Sequence, residues 1–253
     1  MRRCAKLSAG LLILVAFVCL WQSPVYASDT ARDYVEAIKL YNDGHYRKAA
    51  ELFEDIARQG IINGKLFYNT GNAWFKAGNI GKAMLWYERA LKRMPRDPDL
   101  LFNYRYVKGF LKDKAEQESF PVFDVLFFWK DLLGIRVIQR LSVIFFAVFW
   151  LLVSINIVRS KRLQTVHYII LAIALIFTFT ALYDYYDAMF NKKAVIIADT
   201  APVRSGLTES STELFALHAG TRVDVDDKRD GYLKIRFSSD KIGWVKEDYL
   251  KII

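Results

Sequence analysis

The sequence predicts a multi-domain membrane protein in which an α-helical repeat array is followed by two transmembrane helices and a small all-β barrel. Three observations predict this arrangement. Two long apolar runs, 141–158 and 166–183, lie in the middle of the chain. A 34-residue repeat with helical spacing precedes them, and short alternating strands separated by glycines follow them. The concentration of apolar residues in separate runs explains how the chain is 53% hydrophobic and still 25% charged.

The N-terminus has the features of a secretory signal peptide over residues 1–27. Arg2, Arg3 and Lys6 precede a short apolar core, and small residues precede the expected cleavage point after Ala27. Cleavage would remove three cations and no anion, which lowers the net charge from +9 to +6. An uncleaved signal anchor is the alternative. Either form predicts that the chain is exported.

Cysteine usage limits the chemistry of the mature chain. Cys4 and Cys19 are the two cysteines of the sequence, and both lie inside the predicted signal peptide. A mature chain without cysteine excludes disulfides, thiolate metal sites and cysteine nucleophiles.

No residue pattern predicts catalysis or a cofactor. The three histidines lie in unrelated segments without the spacing of a metal site, and no GxSxG, HExxH or phosphate-binding glycine loop occurs. Glu51, Glu54 and Asp55 are close together, but on a predicted helix we expect them to form a solvated face. The sequence therefore predicts a non-enzymatic protein with no catalytic residues, no metal and no cofactor.

Residues 28–113 contain the repeat. The apolar and aromatic positions of 46–57 recur at 80–91, and Gly44 recurs as Gly78. A 34-residue period built from two helices is typical of tetratricopeptide (TPR) repeats. The second copy resembles that family through Gly71, Trp74, Gly78, Ala83, Tyr87, Ala90 and Pro95.

The resemblance to the TPR family implies repeats at about 30–63 and 64–97 and a capping helix at 98–112. Small residues such as Gly71 and Ala83 are expected where paired helices cross closely. Because Asp97-Pro98 offers an N-cap followed by a first-turn proline, the sequence predicts that a further helix begins there.

TPR arrays bind a protein or peptide segment in a groove lined by the first helix of each pair. By resemblance, Tyr68, Asn69, Asn72 and Lys76 should face this groove. Asparagine side chains can satisfy the donors and acceptors of an extended backbone. The alternative is that Asn69 and Asn72 are ordinary surface residues of the repeat.

The apolar runs 141–158 and 166–183 are each long enough to cross about 30 Å of hydrocarbon. The connector 159–165 carries three cations and no anion, so the positive-inside rule places it in the cytoplasm. Both flanking domains would then lie on the periplasmic side of the cytoplasmic (inner) membrane, as the signal peptide also predicts. Residues 114–140 are expected to form a juxtamembrane segment.

The sequence pattern of the tail, residues 190–253, predicts the small barrel. Short alternating runs are separated by Gly206, Gly220 and Gly231. The tail resembles the bacterial SH3 (SH3b) family through Pro202-Val-Arg-Ser-Gly206, Gly231-Tyr-Leu-Lys-Ile235 and Gly243-Trp-Val245.

The resemblance to the SH3b family implies recognition of peptides or of the cell wall. Tyr232, Trp244 and Tyr249 are candidates for an aromatic platform, with Arg204 beside it. The alternative for Trp244 is a place in the core, which its position in the middle of a predicted strand favours. A purely structural barrel is also an open alternative.

The order of the modules resembles the BatE-like proteins of the Bacteroides aerotolerance (Bat) operon family. That resemblance implies a scaffold or adaptor in an envelope complex with other Bat-type proteins, linked to aerotolerance or stress. The expected partners are a protein or peptide segment in the TPR groove and the lipid bilayer, since the basic balance suits anionic lipid better than nucleic acid. The alternative is an anchor or sensor that binds peptidoglycan through the barrel.

Overall fold

The computed structural model describes residues 27–113, 129, 133–159 and 164–253. The predicted signal peptide except Ala27, most of the juxtamembrane segment and the middle of the connector lie outside the described residues. The described chain forms a helical array, a pair of long helices and a C-terminal antiparallel sheet.

Five helices form the helical array, residues 27–113. They are α1 (Ala27–Asn42), α2 (Tyr46–Arg58), α3 (Gly64–Lys76), α4 (Ile80–Leu91) and α5 (Pro98–Lys108). Helix α4 begins 34 residues after α2, and α5 begins 34 residues after α3. Helix α5 ends at Lys108, earlier than the predicted 112, because Gly109, a poor helix former, follows as its C-cap.

Small residues let α3 and α4 pack closely. A Cβ atom at Gly71 would lie 2.7 Å from two ring atoms of Tyr87, so a side chain there would displace the ring. Ala83 and Ala90 of α4 are fully buried. The helices therefore cross where the small residues predict a close approach.

Glu54 connects α2 with α3 and α4. Its Oε1 atom accepts hydrogen bonds from the indole nitrogens of Trp74 at 2.6 Å and Trp86 at 2.8 Å. Its Oε2 atom lies 3.2 Å from Arg58 and 3.5 Å from Lys82. Only 7% of the residue is exposed. The prediction of a solvated face is wrong for Glu54 because this carboxylate turns inward to bind two indoles.

Two long helices follow, α6 (Ile135–Arg159) and α7 (Gln164–Phe190). An apolar window in each has a mean hydropathy of 2.1 and is mainly exposed, with 11% of one window and 17% of the other buried. Both helices are thus long and apolar enough to cross a membrane. They contain the predicted spans 141–158 and 166–183 and extend beyond them at both ends.

Helices α6 and α7 pack along one another as an antiparallel pair. The hydroxyl oxygens of Ser142 and Thr178 are 2.7 Å apart, and the rings of Phe145 and Phe177 stack at a centroid distance of 5.7 Å. Such hydroxyl and ring contacts are typical of neighbouring membrane helices.

Residues 192–253 form a β-domain. Its strands are β1 (Lys192–Ile196), β2 (Thr200–Arg204), β3 (Glu213–His218), β4 (Arg222–Arg229), β5 (Tyr232–Arg236), β6 (Ile242–Lys246) and β7 (Leu250–Ile252). The antiparallel sheet has the order β3-β2-β6-β5-β4-β1-β7. All seven strands contribute side chains to one apolar core, so the sheet curves around that core.

The β-domain packs directly against the helical array, with β1 next to α4. Val195 is fully buried in the core of the array, and Ile197 packs against that core. A Cβ atom at Gly81 would lie 2.9 Å from the Cα and carbonyl oxygen of Ile197. The absence of a side chain at Gly81 therefore allows the two backbones to meet.

Hydrogen bonds extend this contact, which we call the docking interface. Asp113 accepts from the His218 main-chain nitrogen and the Thr221 hydroxyl, both at 2.6 Å, and lies 2.9 Å from the His218 ring nitrogen. Burial raises the pKa of the Asp113 carboxyl, but hydrogen bonds from Thr221 and His218 together outweigh burial and hold the pKa below its usual range. Arg222 lies 3.4 Å from Glu88 of α4.

Candidate binding surfaces

A groove runs across the first helices of the repeat, α1, α3 and α5. It consists of two adjoining depressions of about 430 and 210 Å³, which share Tyr41 and Asn72. Its lining residues are Ile38, Tyr41, Asn42, Phe53, Tyr68, Asn69, Asn72, Phe75, Lys76, Tyr87, Phe102, Asn103, Tyr106 and Val107. The docking interface involves α4 and residue 113, so it leaves the groove open.

A hydrogen bond repeats along the groove at the period of the helices. The Asn69 amide donates to the Tyr34 hydroxyl at 2.8 Å, and the Asn103 amide donates to the Tyr68 hydroxyl at the same distance. Each bond joins an asparagine to the tyrosine 35 positions earlier. Successive helix pairs are thus held together by equivalent contacts.

The structure brings the predicted residues Tyr68, Asn69, Asn72 and Lys76 together in the groove. The polar atoms of the asparagines also hold the helices. The carbonyl oxygen of Asn72 accepts from the Tyr87 hydroxyl at 2.7 Å and from Asn103 at 3.0 Å. Asn72 therefore offers its amide nitrogen, rather than its oxygen, to a bound backbone.

Tyr87 remains a hydrogen-bond donor in the floor of the groove. Burial, and to a smaller extent Tyr68 and Tyr41, raise its pKa well above the usual range. The hydroxyl therefore stays neutral even in alkaline solution, and its proton is directed to Asn72.

Aromatic side chains that were not predicted from the sequence form one end of the groove. Phe102 is 65% exposed and Tyr106 is 55% exposed. The Tyr106 ring makes edge contacts with Phe75 at 5.8 Å and Phe110 at 5.2 Å. Adding the 34-residue period to Tyr68 and Asn72 gives Phe102 and Tyr106, so the repeat itself contained the signal that would have identified them.

The groove is apolar and aromatic with little charge. Lys76 is the single charged residue among those that line its two depressions in the described part of the chain. This arrangement suits an extended segment with apolar side chains, and an acidic group near Lys76.

A second candidate surface is the outer face of the β-domain. In the sheet register Trp244 is opposite Arg204 on β2 and Lys234 on β5, so these side chains point to one face. Tyr232 is opposite Lys246 on the same face. Three of the four predicted residues are thus brought together.

The structure differs from the expectations for two aromatic residues of the β-domain, Trp244 and Tyr249. Trp244 is half-buried and outside the core because its neighbours in β6 are the residues that point inward. The core alternative for Trp244 is therefore wrong. Tyr249 lies apart from the outer face, in a 3₁₀ turn (Glu247–Tyr249), where it packs against the core.

Arg204 has a structural contact of its own. Its guanidinium donates to the Ser211 carbonyl at 2.8 Å and holds the loop between β2 and β3. Among the described residues, no group of three or more histidine, cysteine, aspartate or glutamate residues is placed to hold a metal ion.

Comparison with known proteins bears on the β-domain. Residues 199–251 match the bacterial SH3 domain family. No curated protein matches the chain. Strand β1 precedes the matched residues and pairs with both β4 and β7, so the sheet includes one strand before the match begins.

Proposed function

We propose that this protein is a non-enzymatic, membrane-anchored scaffold whose groove binds a segment of a partner protein. The observation that carries the proposal is the groove across α1, α3 and α5. Its open apolar wall includes Phe102 and Tyr106, large aromatic residues that no part of the described chain covers fully. Exposed aromatic residues in a groove are common anchors for a bound segment.

The recurrence of helices and of the asparagine–tyrosine bond at a 34-residue period supports a TPR array. From the order of the modules we further propose a Bat-type scaffold in an envelope complex linked to aerotolerance or stress. The signal-like N-terminus and the cationic connector 159–165 support an extracytoplasmic location for both domains.

The groove is tested by removing its exposed aromatic residues. Phe102→Ala combined with Tyr106→Ala should reduce crosslinked partner recovery from membranes at least about tenfold, because anchor residues of an interface each contribute about 2 kcal/mol or more. The measurement is quantitative mass spectrometry after a pull-down with the full chain.

Leu214→Ala is the control, since Leu214 is 50% exposed on β3 and outside the groove. It should leave recovery unchanged. The same partner recovered equally by a folded Phe102→Ala/Tyr106→Ala variant would refute the groove as the binding site. Asn72→Ala is unsuitable as a test because it would also leave the buried Tyr87 hydroxyl without its acceptor.

The second candidate function is peptidoglycan binding by the β-domain. The family match and the row of Arg204, Trp244 and Lys234 favour it. We expect the detergent-solubilised full chain to sediment with purified cell wall, and Trp244→Ala to abolish most of that sedimentation. Absence of the wild-type chain from the pellet would eliminate this alternative while leaving the groove proposal intact.

A further inference from the structure

A cavity of about 630 Å³ lies between the helical array and the last strand of the β-domain. Helices α2 and α4 form one side, and Ile197, Lys251 and Ile253 of the β-domain form the other. This interface pocket lies on α4, away from the groove, and has the size of a small-ligand site.

Positive charge dominates the wall of the interface pocket. Its six cations are Arg58, Lys82, Arg89, Lys92, Arg93 and Lys251. Among the described residues, Glu54 is the single acidic side chain in its lining, and this carboxylate already binds two indoles, Arg58 and Lys82. The pocket therefore has an excess of positive charge.

Two of the remaining cations donate to main-chain oxygens at the end of the β-domain. Arg89 donates to the Ile252 carbonyl at 3.0 Å and lies 4.7 Å from the Trp86 ring centroid. Lys92 donates to the main-chain oxygen of Ile253 at 3.1 Å. The side chains of Arg93 and Lys251 make no hydrogen bond or ion pair within the described part of the chain, and their main chains bond only to neighbouring backbone.

The surroundings lower the pKa of two of these cations. Burial lowers the pKa of Arg89, and burial, then Lys193, and to a smaller extent Arg89 and Arg93, lower the pKa of Lys92. An anion in the pocket would offset both the burial and the repulsion.

The other half of the wall is apolar. Phe67, Leu85, Trp86 and Ile197 contribute to it, and the Phe67 and Trp86 rings lie 5.3 Å apart. A fully hydrated anion would leave this surface uncovered. The combination suits a ligand with one charged end and one hydrocarbon end.

We propose that the interface pocket binds an anionic amphiphile, with its carboxylate or phosphate at Arg93 and Lys251 and its hydrocarbon part against Phe67 and Trp86. Such a ligand can come from a membrane lipid or from a soluble acid. Asn191 alone separates α7 from β1, so the β-domain begins directly after a membrane-competent helix, close to a lipid source.

The test uses the full chain in nanodiscs of phosphatidylcholine, with octanoate as the soluble probe and calorimetry as the readout. We expect octanoate to bind at least about tenfold more tightly than octanol or inorganic phosphate. Arg93→Gln combined with Lys251→Gln should weaken octanoate binding at least about tenfold, since each removes a hydrogen-bonding charge.

The matched control is Lys48→Gln combined with Lys108→Gln, which changes the net charge equally at exposed positions outside the pocket. It should bind octanoate like the wild type. Equal octanoate affinity in the two double variants, or no octanoate binding by the wild type, would overturn the proposal.

A second arm distinguishes the sources. In nanodiscs that also contain phosphatidylglycerol, native mass spectrometry of the wild type would show preferential retention of that lipid if the ligand is a membrane lipid. The Arg93→Gln/Lys251→Gln variant would lose this retention. Octanoate binding without lipid retention would assign the pocket to a soluble acid.

Discussion

Replacing Glu54 with alanine should lower the free energy of unfolding of the helical array by about 3–5 kcal/mol, the usual effect of removing one partner from a buried charged network. The carboxylate is the shared acceptor of Trp74 and Trp86. Without it, both indole N–H groups are buried without a partner, at a cost of about 1–3 kcal/mol each. Lys82 also loses its nearby anion.

The measurement is denaturant unfolding of the full chain, followed by the circular dichroism of the helices. Glu51→Ala is the control because Glu51 is exposed on the same helix. Glu54→Gln keeps an acceptor oxygen and should fall between the two. A Glu54→Ala variant within about 1 kcal/mol of the Glu51→Ala control would show that the indoles find other acceptors.

Replacing Gly81 with valine should separate the β-domain from the helical array. The new Cβ would lie 2.9 Å from main-chain atoms of Ile197, which, unlike the end of a side chain, cannot rotate away. Overpacking of this kind costs about 1–3 kcal/mol. The bonds from His218 and Thr221 to Asp113 depend on the same docking.

Hydrogen exchange of the His218 amide reports this separation, because that amide donates to Asp113 across the docking interface. We expect its protection to fall at least about tenfold in Gly81→Val. Gly81→Ala separates the effect on the interface from the effect on the helix. Alanine favours a helix by about 0.5–1 kcal/mol over glycine, so reduced protection in this variant would come from the interface. Unchanged protection in both variants would contradict the prediction, because it would show that β1 moves away from residue 81 without a cost in free energy.

Sequence patterns predicted the helices of the array because the residues that pack neighbouring helices together are near one another in the sequence. The 34-residue period predicted where α4 begins, and Asp97-Pro98 predicted where α5 begins. Gly71 lies against Tyr87 as a close helix crossing requires. The TPR resemblance that this period carries also predicted part of the lining of the groove. Phe102 and Tyr106 were missed because the third unit was treated as a cap rather than as another first helix.

The docking interface could not be predicted in this way. Asp113 and His218 are 105 residues apart, and their contact depends on how the β-domain is oriented against the helical array. The inward turn of Glu54 has a related cause, since its partner Trp86 lies 32 residues away. The position of Trp244 in the middle of a predicted strand favours a place in the core, whereas the alternation of that strand directs its side chain outward.

The docking interface restricts how many times the chain between its two halves can cross a membrane. Asp113 and His218 are hydrogen-bonded, so they occupy one compartment, and the residues between them must cross any bilayer an even number of times. Helices α6 and α7 satisfy this condition as a pair. Under the proposed two-span topology, deleting either helix alone would place the two halves of the interface on opposite sides of the membrane, although every residue of the interface would be unchanged.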